Sequence, residues 1–162
     1  MAMRKLMCYE IMNRIDARLA TKESDAPNTV IISITDYGDK KNKFYPTNWL
    51  KGILEIQFDD VEFGGENCIT IQQAEEIADF VLGINSSVNR IIVHCEYGQS
   101  RSAGVATAIS TYLEGHDNSI FINRKYYPNK TCYRYVLNAL QRKGRPPVNF
   151  FRKWFLLIVI KA

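Results

Sequence analysis

Short apolar runs alternate with helix-patterned stretches along this chain. TVIISIT (Thr29–Thr35) and RIIVH (Arg90–His94) are rich in β-branched residues and bounded by polar or turn-forming segments, which predicts strands. GILEIQF (residues 52–58) and residues 5–9 are read the same way. Between these runs the periodicity becomes helical. Ile11, Ile15 and Leu19 fall on one face of residues 11–20, predicting an amphipathic helix. In residues 69–84, Ile71, Ala74, Ile77, Ala78 and Val81 form a stripe, Thr70 stands where a cap is needed, and the acids turn outward. After Arg101, Val105, Ile109 and Tyr112/Leu113 recur at helical spacing until Gly115. NSIFINRKYYPNK (residues 118–130) is predicted to hold a short helix and a turn at Pro128. TCYRYVLNALQRKG (residues 131–144) forms a further helix closed by Gly144 and Pro146–Pro147. DYGDKKNKFYPTN (residues 36–48) reads as a loop with a basic centre, and DDVEFGGEN (residues 59–67) as a polar, glycine-containing one.

Strands separated by helices predict an α/β fold of three layers, a central, mostly parallel sheet flanked by helices. In such sheets ligands bind beyond the carboxyl ends of the strands. Asp59–Asp60 and Cys95 both stand at such ends.

Length and composition narrow the choice. At 162 residues, 46% hydrophobic and 23% charged, the chain fits one globular domain over residues 1–162, the tail 147–162 being the least defined part. A net charge of +4 suits anionic partners but is too small to argue for nucleic acid, and none is expected. The four cysteines, Cys8, Cys68, Cys95 and Cys132, are scattered without a CxxC pair, so neither a disulfide framework nor a zinc cluster is predicted. A reducing, cytoplasmic setting follows as the expectation. The N-terminal residues lack the apolar core of a signal peptide. WFLLIVI (residues 154–160) is the most apolar run; at seven residues it is far short of the about 20 that a spanning helix needs. It is read as a last strand or helix turn packed on the body, with an interfacial anchor helped by Arg152 and Lys153 as the alternative.

The loop EYGQS (residues 96–100) lies between the strand ending at His94 and the helix beginning near Arg101. A tight loop opening into a helix turns the amides of Glu96, Tyr97, Gly98, Gln99 and Ser100 into one concavity, to which the helix dipole adds positive potential. Gly98 allows the dihedrals this needs. Arg101 supplies a planar, permanent cation able to grip two oxygens of a phosphate. Cys95 sits at the base, where amides and a guanidinium lower a thiol's pKa and yield a thiolate at neutral pH. Such a thiolate can attack phosphorus, and Ser102, beside the arginine, can donate to the sulfur when it departs. The leaving oxygen needs an acid, and Asp59–Asp60 supply the only carboxyls in a suitable loop. His94 beside Cys95 makes no metal site without further ligands, and no metal or other cofactor is expected.

HCEYGQSRS (residues 94–102) resembles the signature of the cysteine-dependent protein tyrosine phosphatases: His-Cys, five residues, Arg, then Ser or Thr. The surroundings are similar to the dual-specificity-like branch, small bacterial members included. FDD (residues 58–60) resembles its general-acid stretch, TVIISITD its early core strand and YYPNKTCYRYVLNAL its late helical segment. The likeness covers roughly residues 5–142. It implies the tyrosine phosphatase fold, with Cys95 as nucleophile, Arg101 as phosphate clamp, and Ser102 as the hydroxyl easing thiolate departure. His94 then orders the loop, and Asp60 is the acid, with Asp59 the other choice. The implied activity is hydrolysis of phosphotyrosine, with or without phosphoserine/threonine, in proteins or peptides. Other readings of the same loop are a non-catalytic phosphate-binding pseudophosphatase and a thiol-based sulfurtransferase or arsenate reductase. Phosphoinositide or RNA 5′-phosphate substrates are further options, and the absence of cations at Glu96, Tyr97 and Gln99 disfavours a polyphosphorylated substrate.

Overall fold

The computed structural model describes residues 7–115 and 119–144. Its nine elements are β1 (Cys8–Met12), α1 (Arg14–Ala20), β2 (Thr29–Thr35), β3 (Leu50–Gln57), α2 (Ile71–Leu82), β4 (Arg90–His94), α3 (Arg101–Glu114), α4 (Ser119–Ile122) and α5 (Lys130–Lys143). The four strands form one sheet in the order β1-β4-β2-β3, every pairing parallel. β2 and β4, the inner strands, are buried at every position, as their mainly apolar runs require of strands covered on both faces. β3, at the edge, alternates between buried or half-buried and more exposed residues. The predicted three-layer α/β architecture is what the chain adopts.

α2 and α3 cover one face of the sheet, forming one core with Ile32, Ile34, Ile91 and Val93, and α5 packs on both helices. On the other face α1 packs through Ala17 and Ala20 against Ile31 and Ile92, with Phe44 of the long β2–β3 loop alongside. α2 starts with a full capping box, Thr70 accepting from the Gln73 amide while the Gln73 side chain accepts from the Thr70 amide. α3 is buried from Arg101 to Ser110, which its small side chains permit: it lies between the sheet and α5. Gly115 ends it with a φ of +93°.

Two boundaries and one face differ from the sequence reading. The first strand runs Cys8–Met12 rather than 5–9, so Ile11 belongs to β1. α1 starts only at Arg14, because the Asn13 side chain accepts from the Asp16 amide and caps the helix there. Its buried face is Ala17 and Ala20, whereas Ile15 and Leu19 are 69% and 49% exposed. Two methyl side chains let the helix lie close on the sheet, a fit that larger residues at those positions would prevent. Ile71, at the start of the α2 stripe, is likewise exposed. Phe58 falls one residue past β3, and the apolar run 154–160 lies outside the described residues.

Candidate active site

His94 and Cys95 leave the carboxyl end of β4 between its two parallel neighbours, with Met12 of β1 and Ser33 of β2 paired to His94. The chain then turns through residues 96–100 into α3. Gly98 has a φ of +68°, and a Cβ there would stand 2.5 Å from the Met12 carbonyl carbon and 2.6 Å from the Asn13 amide nitrogen. The turn is pressed against the end of β1, and only glycine fits. Ser100, at the N-cap of α3, does not cap it; its hydroxyl donates to Asp60 Oδ1 at 2.7 Å. The Ser102 amide, in the first turn of the helix, faces the cysteine.

Cys95 is 2% exposed. Burial alone would push its thiol up, yet the net shift is downward. The Ser102 hydroxyl, 3.1 Å from Sγ, and the backbone amides of Ser102, Gly98 and Gln99 all donate to the sulfur and favour the thiolate. Convergent donors thus outweigh desolvation.

Arg101 reaches to the ends of β2 and β3. Its Nη1 donates to the Phe58 carbonyl at 2.7 Å and lies 2.5 Å from Asp36 Oδ1. These two partners fix the guanidinium, and its Nε is left buried without a hydrogen-bond partner among the described residues. A buried donor of this kind costs free energy unless an acceptor meets it, and a phosphate oxygen would.

The imidazole of His94 is wholly buried. Nδ1 stands 3.4 Å from the Cys95 carbonyl, an acceptor only, which makes Nδ1 the protonated nitrogen. Nε2 then accepts from the Ser33 hydroxyl at 2.7 Å, with the Asn42 amide at 3.5 Å. Burial, reinforced by the charges of Arg14 and Arg101, brings the ring's pKa down to about 4, against the opposing hydrogen bond to Cys95. His94 is a neutral tie between β2 and the loop.

The two neighbouring acids are engaged differently. Asp60 Oδ1 accepts from Ser100 in the loop and, at 2.9 Å, from Asn129 Nδ2 at the start of α5; the side chain is exposed at the mouth. Asp59 accepts instead from the Tyr37 amide after β2 at 2.9 Å and from Asn67 Nδ2 of its own loop at 3.1 Å. Glu96 pairs with Arg14 at 3.2 Å, and Tyr97 is 80% exposed. Gln99 gives its carbonyl to the Tyr127 amide.

The structure therefore gathers Cys95, Arg101, Ser102, His94, Ser100 and Asp60 around one cradle and leaves Asp59 aside. Sequence reading overlooked Ser33, Asp36, Asn42 and Asn129, which hold the ring, the guanidinium and the carboxylate. All four lie between 52 and 69 residues from the group they hold, and no local motif marks them. Of the other cysteines, Cys68 donates to the Val61 carbonyl, and Cys132 is buried with its thiol pushed up. Among the described residues no helix is long and apolar enough to cross a membrane.

No family model matches the sequence, and no curated protein matches it either. Solved structures do. A mouse chain assigned to the dual specificity phosphatases, crystallised with zinc tungstate, superposes with a TM-score of 0.54 at 15% identity, over 80% of each chain. Tk-PTP in its active form gives a TM-score of 0.41 at 16% identity, over 86% of this chain and 80% of that one. The chain shares its fold with the mouse structure of that comparison.

Proposed function

We propose that this chain hydrolyses phosphomonoesters, phosphotyrosine in proteins or peptides foremost, through a cysteinyl-phosphate intermediate. The observation that carries the reading is the convergence on Cys95 Sγ of one hydroxyl and three amides, which lowers the pKa of a buried thiol that burial alone would raise. A structural cysteine needs no such field, and a merely phosphate-binding loop needs no thiolate.

The phosphate enters with its oxygens on the loop amides and on Arg101, whose unpartnered Nε takes one of them. The Cys95 thiolate attacks phosphorus, forming the S–P bond as the P–O ester bond breaks. The protonated carboxyl of Asp60 gives its proton to the departing oxygen. A water then attacks the phosphorus, losing its proton to Asp60, and the S–P bond breaks to release inorganic phosphate. The electron pair returns to sulfur, where the Ser102 hydroxyl stabilises it. Ser100 and Asn129 hold Asp60 at the mouth through both steps. Arg101 is the single cation in the loop segment 95–101, which suits one phosphate group rather than several.

Cys95→Ser should lower turnover of p-nitrophenyl phosphate by at least about 10³-fold while a phosphotyrosine peptide still binds, as measured by calorimetry. A serine variant with undiminished turnover would remove Cys95 from the chemistry and the proposal with it.

A further inference from the structure

α1 has two unlike flanks. Arg14, Arg18 and Lys22 recur every four residues at and just beyond the helix, which sets them along one stripe. Asp16 and Glu23 lie along another, lining a separate concavity beside Tyr97 and Lys125. The cationic stripe faces a cleft of about 360 Å³ whose remaining wall includes Asn42 and Tyr45, with no carboxylate among the lining residues.

The charges in that cleft are unequal. Arg14 is taken up by Glu96 at 3.2 Å and Asp39 at 3.7 Å. Among the described residues neither Arg18 nor Lys22 has a carboxylate within ion-pairing distance. Both instead crowd Tyr45. Arg18 Nη2 donates to its hydroxyl at 3.3 Å, and the Lys22 ammonium stands 4.9 Å from the ring centre. The phenol's pKa is lowered, first by its hydrogen bond to Arg18, as an excess of positive charge requires. Tyr45 is fixed in turn by its amide, which donates to the Thr21 hydroxyl at 3.0 Å. The cleft is also joined to the phosphate cradle. The Arg14 amide and side chain both bond Glu96, and Asn42 reaches from the Arg14 carbonyl to the His94 ring.

We propose that this cleft is a second anion subsite, taking a carboxylate or phosphate side chain from the same polypeptide whose phosphorylated residue enters the Cys95 loop. The inference rests on the phosphatase reading and adds a substrate preference to it. Concavity favours a side chain over a flat surface, and two unpaired cations on a fixed aromatic make an anion the fitting occupant. With a reach of roughly 3.3 Å per residue, an extended peptide would bring the anion in from a few residues away.

The test uses the full chain, the Arg18→Glu/Lys22→Glu variant, and a milder Arg18→Gln/Lys22→Gln variant. Substrates are p-nitrophenyl phosphate and three phosphotyrosine peptides that carry alanine, glutamate or a second phosphate two to four residues from the phosphotyrosine. The wild type should favour both anionic peptides over the alanine one by about 10-fold in kcat/KM, mainly through KM, and less at high salt. The glutamate variant should abolish that preference, the glutamine variant should reduce it, and both should leave p-nitrophenyl phosphate turnover unchanged. Equal treatment of the three peptides by the wild type, or a preference surviving the double charge reversal, overturns the subsite. Equal treatment together with variant-sensitive binding to phosphatidylserine vesicles would assign the stripe to a membrane surface and overturn it too. Should the wild type hydrolyse nothing, the phosphatase reading fails separately. Fluorescence anisotropy of the same peptides on Cys95→Ser then decides the subsite by itself.

Discussion

Adjacent carboxylates can differ wholly in what their surroundings let them do. Asp60 is tied to the loop by Ser100 and to α5 by Asn129, with its side chain at the mouth, while Asp59 is spent on the Tyr37 amide and on Asn67. Asp60→Asn should therefore lower kcat for an unactivated aryl phosphate on the order of 10²-fold, and less for a substrate whose leaving group departs without a proton. Asp59→Asn should cost stability and leave that leaving-group dependence alone. Rates on a series of aryl phosphates of rising leaving-group pKa separate the two, and a steepened dependence in Asp59→Asn would reverse the assignment. The residues legible beforehand are those whose chemistry is local. Cys95, Gly98, Arg101 and Ser102 lie within eight positions, and their spacing is itself the loop. Choosing between Asp59 and Asp60 needed the third dimension, because the donors that separate them come from α5 and from the segment after β2.

At the level of elements, the site depends on how closely α3 and α5 approach. A Cβ on Gly104 would stand 2.4 Å from the Asn129 carbonyl oxygen and 3.1 Å from Cys132 Cβ. Asn129 caps α5 through the Cys132 amide and also holds Asp60, so a shift of that cap moves the carboxylate. Gly104→Ala, which would raise the propensity of an ordinary helix, should here destabilise the fold by roughly 1–3 kcal/mol and lower kcat. Urea unfolding with an unchanged m-value and a lower midpoint checks the first effect. A variant as stable as the parent would mean that the helices part freely. The same logic explains which elements could be foreseen. β2, β4 and α2 carry their burial in their own pattern, so apolar runs and stripes found them. α1 hides its face: Ala17 and Ala20 scarcely register as hydrophobic, and the larger Ile15 and Leu19 point the other way. For a helix docked by methyl groups, side-chain size misleads.

Across the whole molecule, His94 links the sheet to the loop, and its titration links both to pH. In the folded chain the ring stays neutral to about pH 4, from an ordinary value of 6.5. Between those values the unfolded chain binds a proton that the native one refuses. Stability from this group is therefore complete above about pH 6.5, falls as pH drops toward 4, and levels off below. A difference of that size corresponds to roughly 3 kcal/mol, a large share of the 5–15 typical of a domain. Thermal melts from pH 7.5 down to 4 should show the decline, and in His94→Gln it should flatten. If the variant fails to fold, nuclear magnetic resonance of the imidazole nitrogens in the parent chain gives the answer directly, with His116→Gln identifying which of the two histidines is seen. A ring that titrates near 6.5 would refute the buried neutral tie. Protonating Nε2 removes the acceptor for the Ser33 hydroxyl and places a cation next to Arg14 and Arg101, so the loop is where acid unfolding should begin. On the proposed function, turnover of an aryl phosphate should accordingly fade at a higher pH than the helical circular dichroism does.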